Sequence, residues 1–154
     1  MISMDDSTIE SHLKSLFDEQ NLAVVATDML GLPYTSLVAF VADPDLHYML
    51  FATFRNTRKF ENIKRNSRVT LLVDNRQNKT ADFSTSIAVT IEGKANIIDH
   101  EDNSFAILQE QYAQKHAYLK DFLMSPNCAL IRVDVEKYHL VSNFQNMQIL
   151  VRKP

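Results

Sequence analysis

The sequence predicts a mainly β, α+β fold: a body of antiparallel strands with a few flanking helices. Three observations carry this. Short apolar runs rich in Val, Ile, Leu, Tyr and Phe recur between turn signals at 22–27, 33–41, 46–52 and 68–73. A longer run at 84–98 alternates Ile87, Val89 and Ile91 against Ala88, Thr90 and Glu92, the period of a half-buried strand. Glycine is scarce, and its two copies sit at a turn, Gly31, and inside that long run, Gly93, where a bulge or a close backbone approach would bend a sheet.

Taken in order, residues 7–20 read as an amphipathic helix. Ile9, Leu13, Leu16 and Phe17 repeat at helical spacing, and Ser7 with Glu10 has the form of a capping box. The runs 22–27 and 33–41 flank Gly31 and read as a hairpin, and Asp43-Pro44-Asp45 is a turn before a third strand at 46–52. A short helix follows, with Asn56 or Thr57 as N-cap, Phe60 and Ile63 on one face, and Asn66-Ser67 as its stop. After the strand 68–73, the polar stretch 75–82 is a loop, and its Arg76 and Lys79 are given no role. Beyond the long strand, 99–102 caps a helix bearing Phe105, Leu108 and Tyr112, a shorter helical piece carries Leu119, Phe122 and Leu123, and Ser125-Pro126 ends it. Strands are expected at 128–135 and 138–141. The tail holding Phe144, Met147, Ile149 and Leu150 is too apolar for a free end, so it packs on the body or on a partner subunit.

Composition narrows the function. The 154 residues suit one domain spanning 1–154, with 45% hydrophobic content to fill its core. Sixteen basic and nineteen acidic residues leave a net charge of −3, which offers no general pull on nucleic acid or an anionic membrane. The single cysteine, Cys128, sits in an apolar run and reads as an inert core thiol. With no leader or membrane-length apolar run, a cytoplasmic protein is expected. His12, His47, His100, His116 and His139 lack metal-site spacing, so no metal is expected. Two glycines cannot build a dinucleotide-binding or P-loop phosphate cradle, and no nucleophile elbow is present.

One local feature stands out. Arg58 and Lys59 occupy the first turn of the short helix, the positive end of its dipole, where each cation costs about 0.3 to 1 kcal/mol. A phosphate there reverses the sign, meeting free backbone N–H groups, the Thr57 hydroxyl and two cations together. Thr53, closing the preceding strand, can face the same spot.

The pieces Gly31-Leu32-Pro33-Tyr34-Thr35-Ser36-Leu37-Val38, Leu50-Phe51-Ala52-Thr53, Thr57-Arg58-Lys59-Phe60-Glu61-Asn62-Ile63, Asn66-Ser67-Arg68-Val69 and Glu92-Gly93-Lys94-Ala95 occur in order. Together they resemble the FMN-binding split-barrel family that includes pyridoxamine 5'-phosphate oxidase. The resemblance covers about half of the chain. It implies a six-stranded antiparallel split β-barrel with flanking helices, forming a homodimer whose two FMN sites lie at the subunit interface. It implies that Thr57, Arg58 and Lys59 hold the FMN phosphate, that Thr53 with Ala52 meets the phosphate or ribityl chain, and that the backbone of Ser36, Leu37 and Val38 runs along the ring. The oxidase's arginine after the Pro-Tyr pair is replaced here by Ser36. Its C-terminal Trp and Arg-x-His-x-Arg run have no counterpart among Ser142, Asn143, Phe144, Gln145 and Asn146, so pyridoxal phosphate synthesis is not implied. The expected function is a flavin-dependent oxidoreductase acting on a small molecule, with its catalytic residues unassigned. The alternatives are a non-catalytic flavin carrier or sensor, and a binding module for a deazaflavin or a haem-like ligand.

Overall fold

The computed structural model describes residues 3–153. The chain runs α1 (Asp6–Glu19), β1 (Leu22–Met29), β2 (Leu32–Ala42), β3 (Tyr48–Phe54), α2 (Arg58–Arg65), β4 (Arg68–Asp74), α3 (Asp82–Thr85), β5 (Ile87–Ile98), α4 (Phe105–Lys115), α5 (Lys120–Met124), β6 (Cys128–Ser142) and β7 (Asn146–Val151). A single 3-10 turn, Ala117–Leu119, joins α4 to α5. The strands lie in the order β3-β2-β1-β4-β5-β6-β7, all antiparallel, and β3 also pairs with β6. That extra pairing closes six strands into a barrel and leaves β7 outside the closure, on β6. The expected mainly β, six-stranded split barrel with flanking helices is therefore the fold observed.

Local chemistry explains the joints. Leu30 and Gly31, both at positive φ, make the two-residue β1–β2 turn, and Asp28 Oδ2 accepts from Gly31 N at 3.1 Å. At Gly93 the β5–β6 register shifts, with Gly93 opposite Val135 and Glu92 opposite Lys137, so Glu136 is the extra residue of a bulge. A Cβ at Gly93 would run into the Asp134 carbonyl and the Val133 side chain. Glycine is required there by close approach, as its place in the sequence implied.

Apolar burial supplies the cohesion. Ile9, Leu13, Leu16 and Phe17 of α1 plug the barrel, where Phe17 meets Phe40 edge-on at 5.8 Å and lies 6.0 Å from Tyr138. Each such side chain contributes about 1.5–3 kcal/mol of transfer free energy. A second cluster, including Val41, Leu50, Tyr112, Leu123 and Leu130, seats α4 and α5 on the outside of β2, β3 and β6.

The structure corrects several local expectations. Asp5, not Ser7, caps α1: its carboxylate accepts from Thr8 N at 2.8 Å, and an anion gains more than a hydroxyl at a helix start. Strand β3 begins at Tyr48 because Leu46 is at φ 62, held in the turn by Asp43. Ser84 and Thr85 belong to the short α3, and β5 starts at Ile87. Helix α4 starts at Phe105, while Asp102 accepts from Ser104 in the turn ahead of it. The two last strands expected at 128–135 and 138–141 are one, β6, since the bulge at Glu136 absorbs the polar break. The apolar tail forms β7 on its own chain's β6, burying Leu150 and leaving Met147, Ile149 and Val151 outward. No helix among the described residues is long and apolar enough to cross a membrane.

Candidate functional site

The split in the barrel creates the site. Strand β2 pairs with β3 only from Phe40 opposite Phe51 to Ala42 opposite Met49, whereas β3 stays paired with β6 through Phe54. Beyond Phe40 the two strands part, and the start of α2 lies beside the opening. The result is a groove of 240 Å³ with Leu37 and Val38 on β2, Ala52 and Thr53 on β3, and Thr57 and Lys59 from the α2 start. Tyr112, Leu119 and Phe122 close its far side.

Thr57 has the extended backbone of an N-cap and accepts from Phe60 N at 3.3 Å. Its hydroxyl donates to the Phe54 carbonyl at 2.8 Å and lies 3.1 Å from Thr53 Oγ1. Lys59 reaches back across the turn, so that Nζ donates to Thr53 Oγ1 at 3.2 Å. Burial holds the Lys59 ammonium below the ordinary lysine value. Glu61 N bonds the Thr57 carbonyl, so the Arg58 and Lys59 N–H groups are the first-turn donors left without an acceptor among the described residues. Neither Arg58 nor Lys59 makes an ion pair among those residues.

Of the residues singled out from sequence, Leu37, Val38, Ala52, Thr53, Thr57 and Lys59 line one groove. Arg58 and Ser36 do not. The Arg58 side chain is exposed, with its guanidinium 4.5 Å over the Tyr34 ring, outside the groove but beside its entrance through the shared first turn. Ser36 sits on the inward side of β2 with its hydroxyl buried and without a partner among the described residues. Leu37 faces outward and is 66% exposed.

Three residues that brace the site, Asn62, Tyr112 and Phe122, have no assigned place there in the sequence pattern. Asn62 is wholly buried and donates to Thr27 Oγ1 at 3.0 Å, pinning α2 to β1; a polar residue beside Ile63 on the short buried arc was the available signal. Tyr112 donates its hydroxyl to the Ala39 carbonyl at 3.1 Å and fixes α4 against β2. Phe122 stacks edge-on to Phe54 at 4.7 Å. Tyr112 and Phe122 were legible as apolar helix faces, but no local pattern said which strands they would cover.

Among the described residues, no group of three or more His, Cys, Asp or Glu side chains could hold a metal ion. His116, wholly buried, has Nε2 on the Phe40 carbonyl at 2.8 Å and burial lowers its proton affinity, so it is a neutral core residue. Cys128 is buried and its thiol is pushed up to about 11, as an inert core cysteine requires.

A profile of the family described as pyridoxamine 5'-phosphate oxidase matches residues 9–142. The chain belongs to this family. No curated protein matches it. Solved structures with the same fold are dissimilar in sequence. A heme-binding protein from Mycobacterium smegmatis superposes with TM-score 0.81 at 14% identity, over 97% of this chain and 60% of that one. HutZ, the heme storage protein from Vibrio cholerae, gives 0.72 at 16% identity, over 92% and 93% of the two chains. A FAD-binding protein from Mesorhizobium loti gives 0.68 at 13% identity, over 84% and 90%. Such identities establish a common fold, and the ligands in those names differ, so the pyridoxamine 5'-phosphate oxidase fold alone does not select one.

Proposed function

We propose that the chain is an FMN-binding oxidoreductase of a small-molecule substrate, one domain spanning 1–154 that works as a homodimer with its two flavin sites at the subunit interface. The observation that carries the flavin is the start of α2. Two cations and two backbone N–H groups that have no acidic partner or acceptor among the described residues stand beside a groove, a donor set that suits a phosphate monoester. Lys59 and those N–H groups hold the phosphate, and Arg58 leaves the Tyr34 ring to join them. Thr53, Thr57 and Ala52 shape that end, and the backbone of Ser36, Leu37 and Val38 runs along the isoalloxazine. When bound, FMN supplies hydride and electron transfer, which explains why the groove needs no acid or base of its own. The protein's residues bind and orient the ring, and Tyr112, Leu119 and Phe122 exclude water from the groove's far side.

The homodimer rests on a second observation. Leu37, Val24, Leu72, Thr90, His139 and Ile149 stand opposite one another from β2 through β7, on the outer face that α4 and α5 leave uncovered. Leu37 is 66% and Ile149 49% exposed, and Val24 and Leu72 are half-buried, so the apolar members of this row face solvent at least in part in the single chain. A second copy covers them. The setting we propose is cytoplasmic, with which the free, buried Cys128 is compatible.

Haem is the competing ligand. The described residues lining the groove include no His, Cys or Met, and its tyrosine, Tyr112, has its hydroxyl on the Ala39 carbonyl at 3.1 Å, which favours the flavin there over haem iron. Absorption spectroscopy of the protein purified from cells decides between them. Flavin bands with phosphate-bearing FMN released on denaturation support the reading, and a Soret band or a protein that ignores added FMN overturns it. Turnover with a nicotinamide donor and an acceptor separates an enzyme from a carrier or sensor.

A further inference from the structure

We propose that Thr53 is a positioning residue: its hydroxyl accepts from the Lys59 ammonium, aims it at the ligand's phosphate, and gives no hydrogen bond to the ligand. This rests on the phosphate reading above. A threonine hydroxyl has one proton to give. Thr57 commits its proton to the Phe54 carbonyl at 2.8 Å, so in the 3.1 Å contact between the hydroxyls Thr53 is the donor and Thr57 the acceptor. The Thr53 oxygen in turn receives Lys59 Nζ at 3.2 Å. The bonds therefore run one way, from Lys59 to Thr53 to Thr57 to the Phe54 carbonyl, and end on backbone at the strand-to-helix junction. The alternative acceptor for Thr53, that same carbonyl, is farther away at 3.4 Å, and a bond to it would use the same single proton.

Two consequences follow. Thr53, only 3% exposed, has no second proton for an anion. Lys59 spends one of its three N–H donors on Thr53 and keeps two for the groove. A four-carbon stem is otherwise free to swing into water, where its charge is better solvated, so the bond to Thr53 keeps the ammonium at the groove despite the cost of burial.

The test uses Thr53→Val, Thr53→Ser and Lys59→Met, with Thr53→Val also combined with Lys59→Met. FMN and riboflavin, which lacks the phosphate, are titrated by flavin fluorescence, and acylation of Lys59 against pH is read by mass spectrometry without ligand. Thr53→Val is expected to weaken FMN about tenfold, because Lys59 is then no longer held in place before binding and must be ordered by the ligand, and to change riboflavin by less than about twofold. It also lowers the pH at which Lys59 acylates, because the charged amine has lost an acceptor. Thr53→Ser restores both, and in the Lys59→Met background Thr53→Val adds nothing. An equal loss of FMN affinity in that background makes Thr53 a direct ligand and overturns the proposal, as does an unchanged Lys59 profile. If Thr53→Val does not fold, Thr53→Ala is read in its place. Wild-type protein that binds FMN no tighter than riboflavin refutes the phosphate site instead, and the acylation profile still tests the bond from Lys59 to Thr53.

Discussion

Lys59 and Lys115 are both drawn partly out of water, yet they stand at opposite ends of a helix dipole. Lys115, the last residue of α4, donates to the Phe17 and Gln20 carbonyls at 2.7 Å each, at the C-terminus of α1, and lies 4.2 Å over the Phe40 ring. A cation there is favoured by the carbonyls and by the dipole. Lys59 sits at the N-terminus of α2 with one neutral hydroxyl for company. Both amines are shifted down by burial, Lys115 to about 8. The difference teaches that the same side chain is a finished structural clamp in one place and an incomplete arrangement in the other. An anion at α2 completes it.

The largest expected effect separates the two lysines by ligand. Replacing Arg58 and Lys59 together by Ala weakens FMN by about 2 to 5 kcal/mol in a titration, taking about 1.5 to 3 per charge-assisted bond and allowing for screening. Lys115→Met leaves the preference for FMN over riboflavin intact. Stability reverses the order: Lys115→Met strands two carbonyls and costs about 1 to 3 kcal/mol in urea unfolding, whereas Lys59→Met costs less or stabilises the ligand-free protein. Equal losses would erase the distinction.

The pH dependence sharpens it. A lysine whose folded value lies near 8, below the ordinary 10.5, binds its proton less tightly folded than unfolded, with nearby Asp18 opposing the shift. The unfolded state then holds more protons above about pH 8, so stability rises with pH from there into the ordinary lysine range. Lys115→Met removes the larger part of that rise in comparison with wild type by calorimetry. Lys59 contributes in the same direction, and bound FMN diminishes its share by favouring the charged amine. The smallest effect is from inorganic phosphate at about ten times its Kd, which stabilises wild type by about 1.4 kcal/mol and the Arg58, Lys59 double variant not at all.

Most of the fold was legible because its signals are local. The period of two at Ile87, Val89 and Ile91, the Leu30-Gly31 turn and the place of Gly93 each depend on a few neighbouring residues. The Thr57 cap and the misplaced charges at Arg58 and Lys59 were legible for the same reason. What escaped depends on distant parts of the chain. The polar pair Glu136 and Lys137 looks like a strand end, and only the bulge opposite Gly93 carries β6 through it. The wall made by Tyr112 and Phe122 comes from helices packed on strands some seventy residues earlier, guided by bonds such as Tyr112 to the Ala39 carbonyl. Arg58 stacking on Tyr34 is a tertiary choice between two neighbours that the sequence leaves equal.

The central claim is that an anionic ligand group completes the start of α2. Fluorescence titration of the ligand-free protein with FMN and with riboflavin, at one ionic strength, tests it most directly. The account predicts that FMN binds at least about thirtyfold more tightly, the equivalent of about 2 kcal/mol from the phosphate alone. Equal affinities, or binding of neither flavin, would contradict it.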